Sequence, residues 1–159
     1  MSTPAYFKNI KRIAIIALPD TRKEFIEWSY ANKNILKDHL IISTARTASI
    51  LEGTLNVPVM NLDHGKAGGY QQLKSLIEQD KTDIVIFFGN PLLHDDRDEL
   101  IDELVNTAIR HNAVVAYNPA TISMILTSIA ALNERYDKKP HDELFVRFIH
   151  EQIEKENSK

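Results

Sequence analysis

Five short apolar runs, none longer than six residues, most constrain what this chain can become. They are Ile13-Ala14-Ile15-Ile16-Ala17-Leu18, Leu40-Ile41-Ile42, Val57-Pro58-Val59-Met60, Ile84-Val85-Ile86-Phe87-Phe88 and Ala113-Val114-Val115-Ala116-Tyr117. None alternates with polar residues as a half-buried strand does. Continuous runs of this length fit strands covered on both faces, which is the condition of a parallel sheet. Stretches with helical spacing separate them. Asp20 to Ala31 carries Phe25, Ile26 and Trp28 behind a plausible Asp20 cap, and Ala45 to Gly53 follows the second run. Gly69 to Gln79 has Leu73, Leu76 and Ile77 at helical spacing, and Asp95 to His111 has Leu100, Ile101, Leu104, Val105 and Ala108. Strand and helix thus alternate from Ile13 to about Thr127, predicting a doubly wound α/β sheet of about five strands with helices on both faces.

With 43% hydrophobic residues in 159, the chain has enough apolar material for a sizeable core and reads as one domain over 1–159. Its core spans about 12–128, and a terminal amphipathic helix is expected at about 141–156. Nineteen Lys and Arg against 22 Asp and Glu give a net charge of -3, which argues against a broad nucleic-acid-binding face. No cysteine is present, so disulfides, thiolate metal sites and a thiol nucleophile are excluded. The apolar run after Arg12 is too short for a signal core or a membrane span, so no membrane association is expected and the cytoplasm is the expected location.

In open parallel sheets, ligands bind beyond the carboxyl ends of the strands. Five loops fall there. Ser43-Thr44-Ala45-Arg46-Thr47-Ala48 opens a helix with hydroxyls, free N–H groups and a guanidinium, which suits an anion; the simpler reading is a Ser43 or Thr44 cap with Arg46 in solvent. Asp63-His64-Gly65-Lys66-Ala67-Gly68-Gly69-Tyr70-Gln71-Gln72 holds three of the five glycines, which points to a tight ligand loop over an ordinary turn. Its spacing matches neither a Walker loop nor a dinucleotide fingerprint. Asn90 to Asp98 combines His94 with Asp95, Asp96, Arg97 and Asp98, groups suited to acid–base work or to capping the next helix. A metal site ranks low, because those residues supply no convergent ligand set. Thr21-Arg22-Lys23 follows the first strand, and Asn118 reads as a cap in the loop after the fifth. His39, His111, His141 and His150 look like surface or helix-end residues, and Trp28 like core.

Taken together, these loops resemble the methylglyoxal synthase family over about Arg12 to Ser128. Gly68-Gly69-Tyr70-Gln71-Gln72 is similar to the family's Gly-Gly-Asp-Gln-Gln segment. Ile84 to Phe88 with Pro91-Leu92 is similar to its Phe-Phe-x-Asp-Pro-Leu segment. Trp28, Thr44-x-x-Thr47, Gly65 and Val115-Ala116-x-Asn118-x-x-Thr121 add to the match. The resemblance implies a Rossmann-like three-layer α/β/α sandwich, a homohexamer, and no metal or organic cofactor. It also implies elimination of phosphate from dihydroxyacetone phosphate to give methylglyoxal. Phosphate contacts carry over to Thr44, Thr47 and the Gly65 backbone. Arg22 stands where the family has a lysine, and Arg46 replaces a small hydroxyl residue.

On the catalytic side the chain departs from the family. Tyr70 occupies the position of the family's general base, and a phenol is a poor base near neutral pH. Leu18 stands where the family has a histidine after the first strand. His94 matches a family histidine that would polarise the carbonyl, and Asp96 and Asp98 compete for the place of an aspartate nearby. Two readings follow: a lyase whose base has moved to Asp63, His64 or Asp96, or a domain that binds a phosphorylated metabolite or inorganic phosphate without turnover. The second resembles the regulatory domain of carbamoyl phosphate synthetase. A third is an assembly subunit with an idle site.

Overall fold

The apolar runs are continuous because each strand feeds two cores. In β1 (Arg12–Ala17), Ile13 and Ile15 point to one side and Ala14 and Ile16 to the other. In β2 (Leu40–Thr44), Ile41 joins the first side while Leu40 and Ile42 join the second. In β4 (Ile84–Phe88), Ile84 and Ile86 oppose Val85 and Phe87 in the same way. The computed structural model describes residues 10–18, 21–89, 99–129 and 143–158. With β3 (Met60–Leu62) and β5 (Val114–Ala116) these strands form one five-stranded sheet, parallel at every pairing, in the order β3-β2-β1-β4-β5. The expected α/β architecture is what the structure has.

Helices cover both faces. On one side lie α1 (Arg22–Ala31), α2 (Lys33–Leu36), α3 (Ala45–Leu55) and α6 (Pro119–Thr127), through Phe25, Leu36, Ala48, Leu51, Leu55, Ile122 and Ile125. On the other lie α4 (Gly69–Glu78) and α5 (Glu99–Arg110), through Leu73, Ile77, Ile101, Leu104 and Ala108. The terminal helix α7 (Glu143–Asn157) adds Phe148 to that second core. Burying chains of this size contributes about 1.5–3 kcal/mol each, which is why period-two burial overrides local preference here.

Two boundaries differ from the sequence reading. The paired part of the third strand is Met60–Leu62, beyond the Val57–Met60 run, with Ile42 opposite Met60 and Thr44 opposite Leu62. Pro58 has no N–H for a ladder, and on this edge strand the register continues past it, while Val59 is still buried. After α1 the chain makes a further helical turn, α2, that buries Leu36; the Asn32 amide caps the end of α1 by donating to the Trp28 carbonyl at 2.9 Å. The proposed Asp20 cap lies outside the described residues; Thr21 takes the N-cap position, and its hydroxyl donates to the Leu18 carbonyl instead of capping.

The amino edge of the sheet carries two buried polar contacts. Arg12 is 2% exposed and grips Asp83, 14% exposed, through Nε at 3.0 Å, a terminal nitrogen at 2.9 Å and its own backbone N–H at 2.8 Å. Burial pushes the Asp83 carboxyl up, but the hydrogen bonds and charge of Arg12 outweigh it and hold the group below its ordinary range. Beside it, the Lys11 backbone N–H donates to Nδ1 of His39 at 2.9 Å. His39 is therefore not a surface histidine. Burial and the Lys11 charge lower its pKa from 6.5 to about 4, against the opposing pull of Asp38 and Asp83. The folded protein keeps His39 neutral where the unfolded chain protonates it, so this contribution is whole above pH 6.5 and is lost as pH falls toward 4. At about 1.4 kcal/mol per unit, roughly 3 kcal/mol of unfolding free energy is expected to disappear across that window. Urea unfolding at pH 7 and pH 4 checks this: His39→Asn, which keeps an acceptor but does not titrate, should show a loss smaller by that amount.

Candidate functional site

Because all five strands are parallel, the loops after them emerge at one edge. The β2–α3 junction and the loop after β3 are direct neighbours there. Thr44 pairs with Leu62 across the sheet, and the Ala45 N–H donates to the Asp63 carbonyl at 3.4 Å. The expected hydroxyl cap of α3 is absent. Thr44 occupies the N-cap position with extended backbone and makes no side-chain cap bond, while the Ser43 hydroxyl turns into the sheet and donates to the Ile15 carbonyl at 2.6 Å. Ser43 is a strand residue facing β1, so its side chain has no reach to the helix start. The first turn of α3 thus keeps N–H groups that its own side chains leave unfilled, with an exposed Arg46 on that turn. Thr47 is buried, and its Oγ1 accepts the Ala17 N–H at 3.4 Å, which ties the helix start to β1 and leaves the hydroxyl proton to donate.

The glycine-rich loop is shaped by the helix that follows it. Its chain turns through a 3₁₀ segment, Gly65–Ala67, and the His64 carbonyl accepts the N–H groups of both Ala67 and Gly69 at 2.9 Å. A side chain at Gly69 would collide with the carbonyls of Asp63 and His64, so the loop backbone can lie directly on the start of α4 only because that residue is glycine. One turn on, Gln72 closes a two-point clasp: its Oε1 accepts the Asp63 N–H at 2.8 Å and its Nε2 donates to Asp63 Oδ2 at 2.9 Å. Tyr70, between them, is half-buried and packs on the second core.

The structure therefore sets the β2–α3 junction that carries Thr44, Arg46 and Thr47 next to the start of the loop that carries Asp63, His64 and Gly65, linked through Thr44–Leu62 pairing and the Ala45–Asp63 hydrogen bond, and packs the Tyr70 ring on Gly65. Arg22 heads α1 at the same edge and is exposed, as are Asp63 and His64. His94 and Asp96 lie outside the described residues. After β1, the Leu18 N–H donates to the Phe88 carbonyl, joining the ends of the two central strands. Trp28 stacks with Phe25 at 5.8 Å and meets Phe88 at 5.3 Å, half-buried at that edge. Asn118 caps α6 as expected, accepting the Thr121 N–H at 2.9 Å. The role of Gln72 escapes sequence reasoning; its membership of the glycine-rich motif was the only signal, and its partner lies nine residues back. Among the described residues no group of three His, Asp or Glu converges as metal ligands would, and no helix is long and apolar enough to cross a membrane.

The class so defined is the doubly wound α/β domain, here with an uncapped helix start and a clasped glycine loop at the carboxyl edge of its sheet. No protein-family model matches the chain. It is 35% identical over 136 residues to a methylglyoxal synthase of Coxiella burnetii, covering 86% of this chain and 95% of that protein. To the methylglyoxal synthase of Pseudoalteromonas atlantica it is 33% identical, covering 80% and 95%. The crystal structure of methylglyoxal synthase from Elizabethkingia anophelis superposes with a TM-score of 0.68 at 32% identity, covering 76% of this chain and 79% of that one. The chain belongs to the methylglyoxal synthase family.

Proposed function

We propose that the protein binds a small phosphorylated metabolite at the junction of α3 with the Gly65 loop, and that it acts on dihydroxyacetone phosphate, releasing phosphate and methylglyoxal. The observation that carries this reading is the uncapped first turn of α3, with Arg46 exposed on it, hydrogen-bonded at Ala45 to the loop that holds Gly65. A phosphate dianion satisfies such N–H groups and pairs with the guanidinium. Elimination then needs a base to take the proton from the hydroxyl-bearing carbon, donors for the enediolate oxygen, and departure of the phosphate as the carbon–oxygen bond breaks. His64 is the base candidate with an exposed side chain and no hydrogen bond to its own helix cap. The Asp63 carboxylate already accepts from Gln72, which ties it to holding the loop. In this reading His94 polarises the carbonyl, and Asp96 is the alternative base.

A second reading, binding without turnover, is favoured by one observation: the ring of Tyr70, the residue that the resemblance aligns with the family's aspartate, is packed against Gly65. Calorimetry with inorganic phosphate, run beside an assay of methylglyoxal released from dihydroxyacetone phosphate, separates the two. Arg46→Ala is expected to weaken phosphate binding about tenfold or more, the loss of one charge-assisted contact. Thr47→Ala should weaken it less. Affinity unchanged in both variants would remove this site from the reading.

A further inference from the structure

Asp63 is held at three points between two helix starts. Its N–H donates to Gln72 Oε1 at 2.8 Å, and its Oδ2 accepts from Gln72 Nε2 at 2.9 Å. Its carbonyl accepts the Ala45 N–H at 3.4 Å. One residue thus ties the first turn of α3 to the first turn of α4. The start of α4 is closed around it: a methyl built on Gly69 would collide with the Asp63 carbonyl, and one on Gly68 would lie 3.6 Å from Asp63 Oδ2. From Asp63 the chain returns on itself, since the His64 carbonyl accepts the N–H groups of Ala67 and Gly69. None of these anchoring bonds uses the N–H of Gly65, half-buried at the first position of the 3₁₀ turn. A donor at that position has no partner inside its own turn.

We propose that Asp63 and Gln72 are positioning residues: their clasp holds the Gly65 N–H beside the first turn of α3, so that both sets of donors meet one phosphate. The proposal rests on the phosphate-binding reading above and goes beyond it in assigning Asp63 to this work and not to proton transfer. A loop without the clasp has to be ordered by the ligand itself, and that ordering lowers affinity. The carboxylate also suits its place. It lies by Gly68 at the start of α4, where the helix dipole favours a negative group. The Ala45 bond extends the effect to the other side of the site, because Asp63 cannot swing out without breaking its contact with the turn that carries Arg46.

Calorimetric titration of inorganic phosphate into wild type, Gln72→Ala, Asp63→Ala, Asp63→Asn and the double Ala variant tests this, with urea unfolding giving the folded fraction of each. Gln72→Ala and Asp63→Ala should each weaken phosphate binding about tenfold, the scale of two hydrogen bonds withdrawn from loop ordering. The double variant should bind no worse than either alone, because the same clasp is removed once. Asp63→Asn keeps a side-chain oxygen that accepts from Gln72, and should restore affinity to within about twofold of wild type. Wild-type affinity per folded molecule in both Ala variants makes the clasp merely structural; it overturns the proposal and leaves the phosphate reading standing. Additive losses in the double variant overturn it too. So does an Asn variant as weak as Asp63→Ala, which moves the effect to the Asp63 charge. Wild-type protein that binds no phosphate removes the underlying reading as well.

Discussion

Tyr70→Asp is expected to raise methylglyoxal formation from dihydroxyacetone phosphate by about two orders of magnitude over wild type, the usual worth of a placed general base. The substitution puts a carboxylate between Gly69 and Gln71, where the resemblance of 68–72 to the family's Gly-Gly-Asp-Gln-Gln segment aligns an aspartate. It also suits its position, since the second residue of α4 faces the positive end of the helix dipole, where a negative side chain is favoured. Removing the ring costs packing against the second core, so some loss of stability should accompany the gain in rate. Rates are compared per folded molecule, with phosphate affinity measured alongside. A variant that folds and binds phosphate but turns over no faster than wild type would show that the missing carboxylate is not what limits the chemistry.

Asp83→Ala should destabilise the protein by about 3–5 kcal/mol, because it removes the carboxylate that the buried Arg12 holds through two side-chain hydrogen bonds and its backbone N–H. The pair also spans 71 positions, joining the start of β1 to the residue before β4, so its loss loosens the central strand pairing. The depressed Asp83 pKa means this stabilisation is present above the unfolded carboxyl's 3.8 and is lost as pH falls through the lower folded value, a window distinct from that of His39. Urea unfolding at neutral pH measures the effect. Replacing both partners by apolar residues, Arg12→Met with Asp83→Leu, should recover most of the loss, since the double substitution removes the desolvation cost of the pair together with its attraction. Phosphate binding by the folded Asp83→Ala protein should be unaltered, as the pair lies at the amino edge and the site at the carboxyl edge. A loss below 1 kcal/mol would contradict the buried-charge account.

Much of the candidate site was legible because its residues lie close in sequence and in unusual company. The hydroxyl–arginine run at 43–48 and the glycines at 65, 68 and 69 could be placed at strand ends from periodicity alone, and the resemblance of 68–72 to a known segment named the family. The capping geometry was not legible. Whether Ser43 caps α3 or turns into the sheet depends on which face of β2 it occupies, and only the pairing with β1 decides that. The clasp between Asp63 and Gln72 was hidden for a similar reason: each residue alone reads as an exposed polar group. The third strand was misplaced by its proline and its edge position, since an edge strand is not obliged to be apolar.

What the residues determined by themselves is the alternation of short continuous apolar runs with 3.6-fold patterns, and with it the parallel, doubly covered sheet and the single edge where loops collect. Those features follow from the solubility of each side chain, which every position expresses locally. What tertiary structure alone decided is pairing between distant polar groups: Arg12 with Asp83, His39 with the Lys11 N–H, and the Tyr70 ring with Gly65. Such contacts draw their strength from the exclusion of water, and exclusion is a property of the assembled layers that no isolated segment possesses.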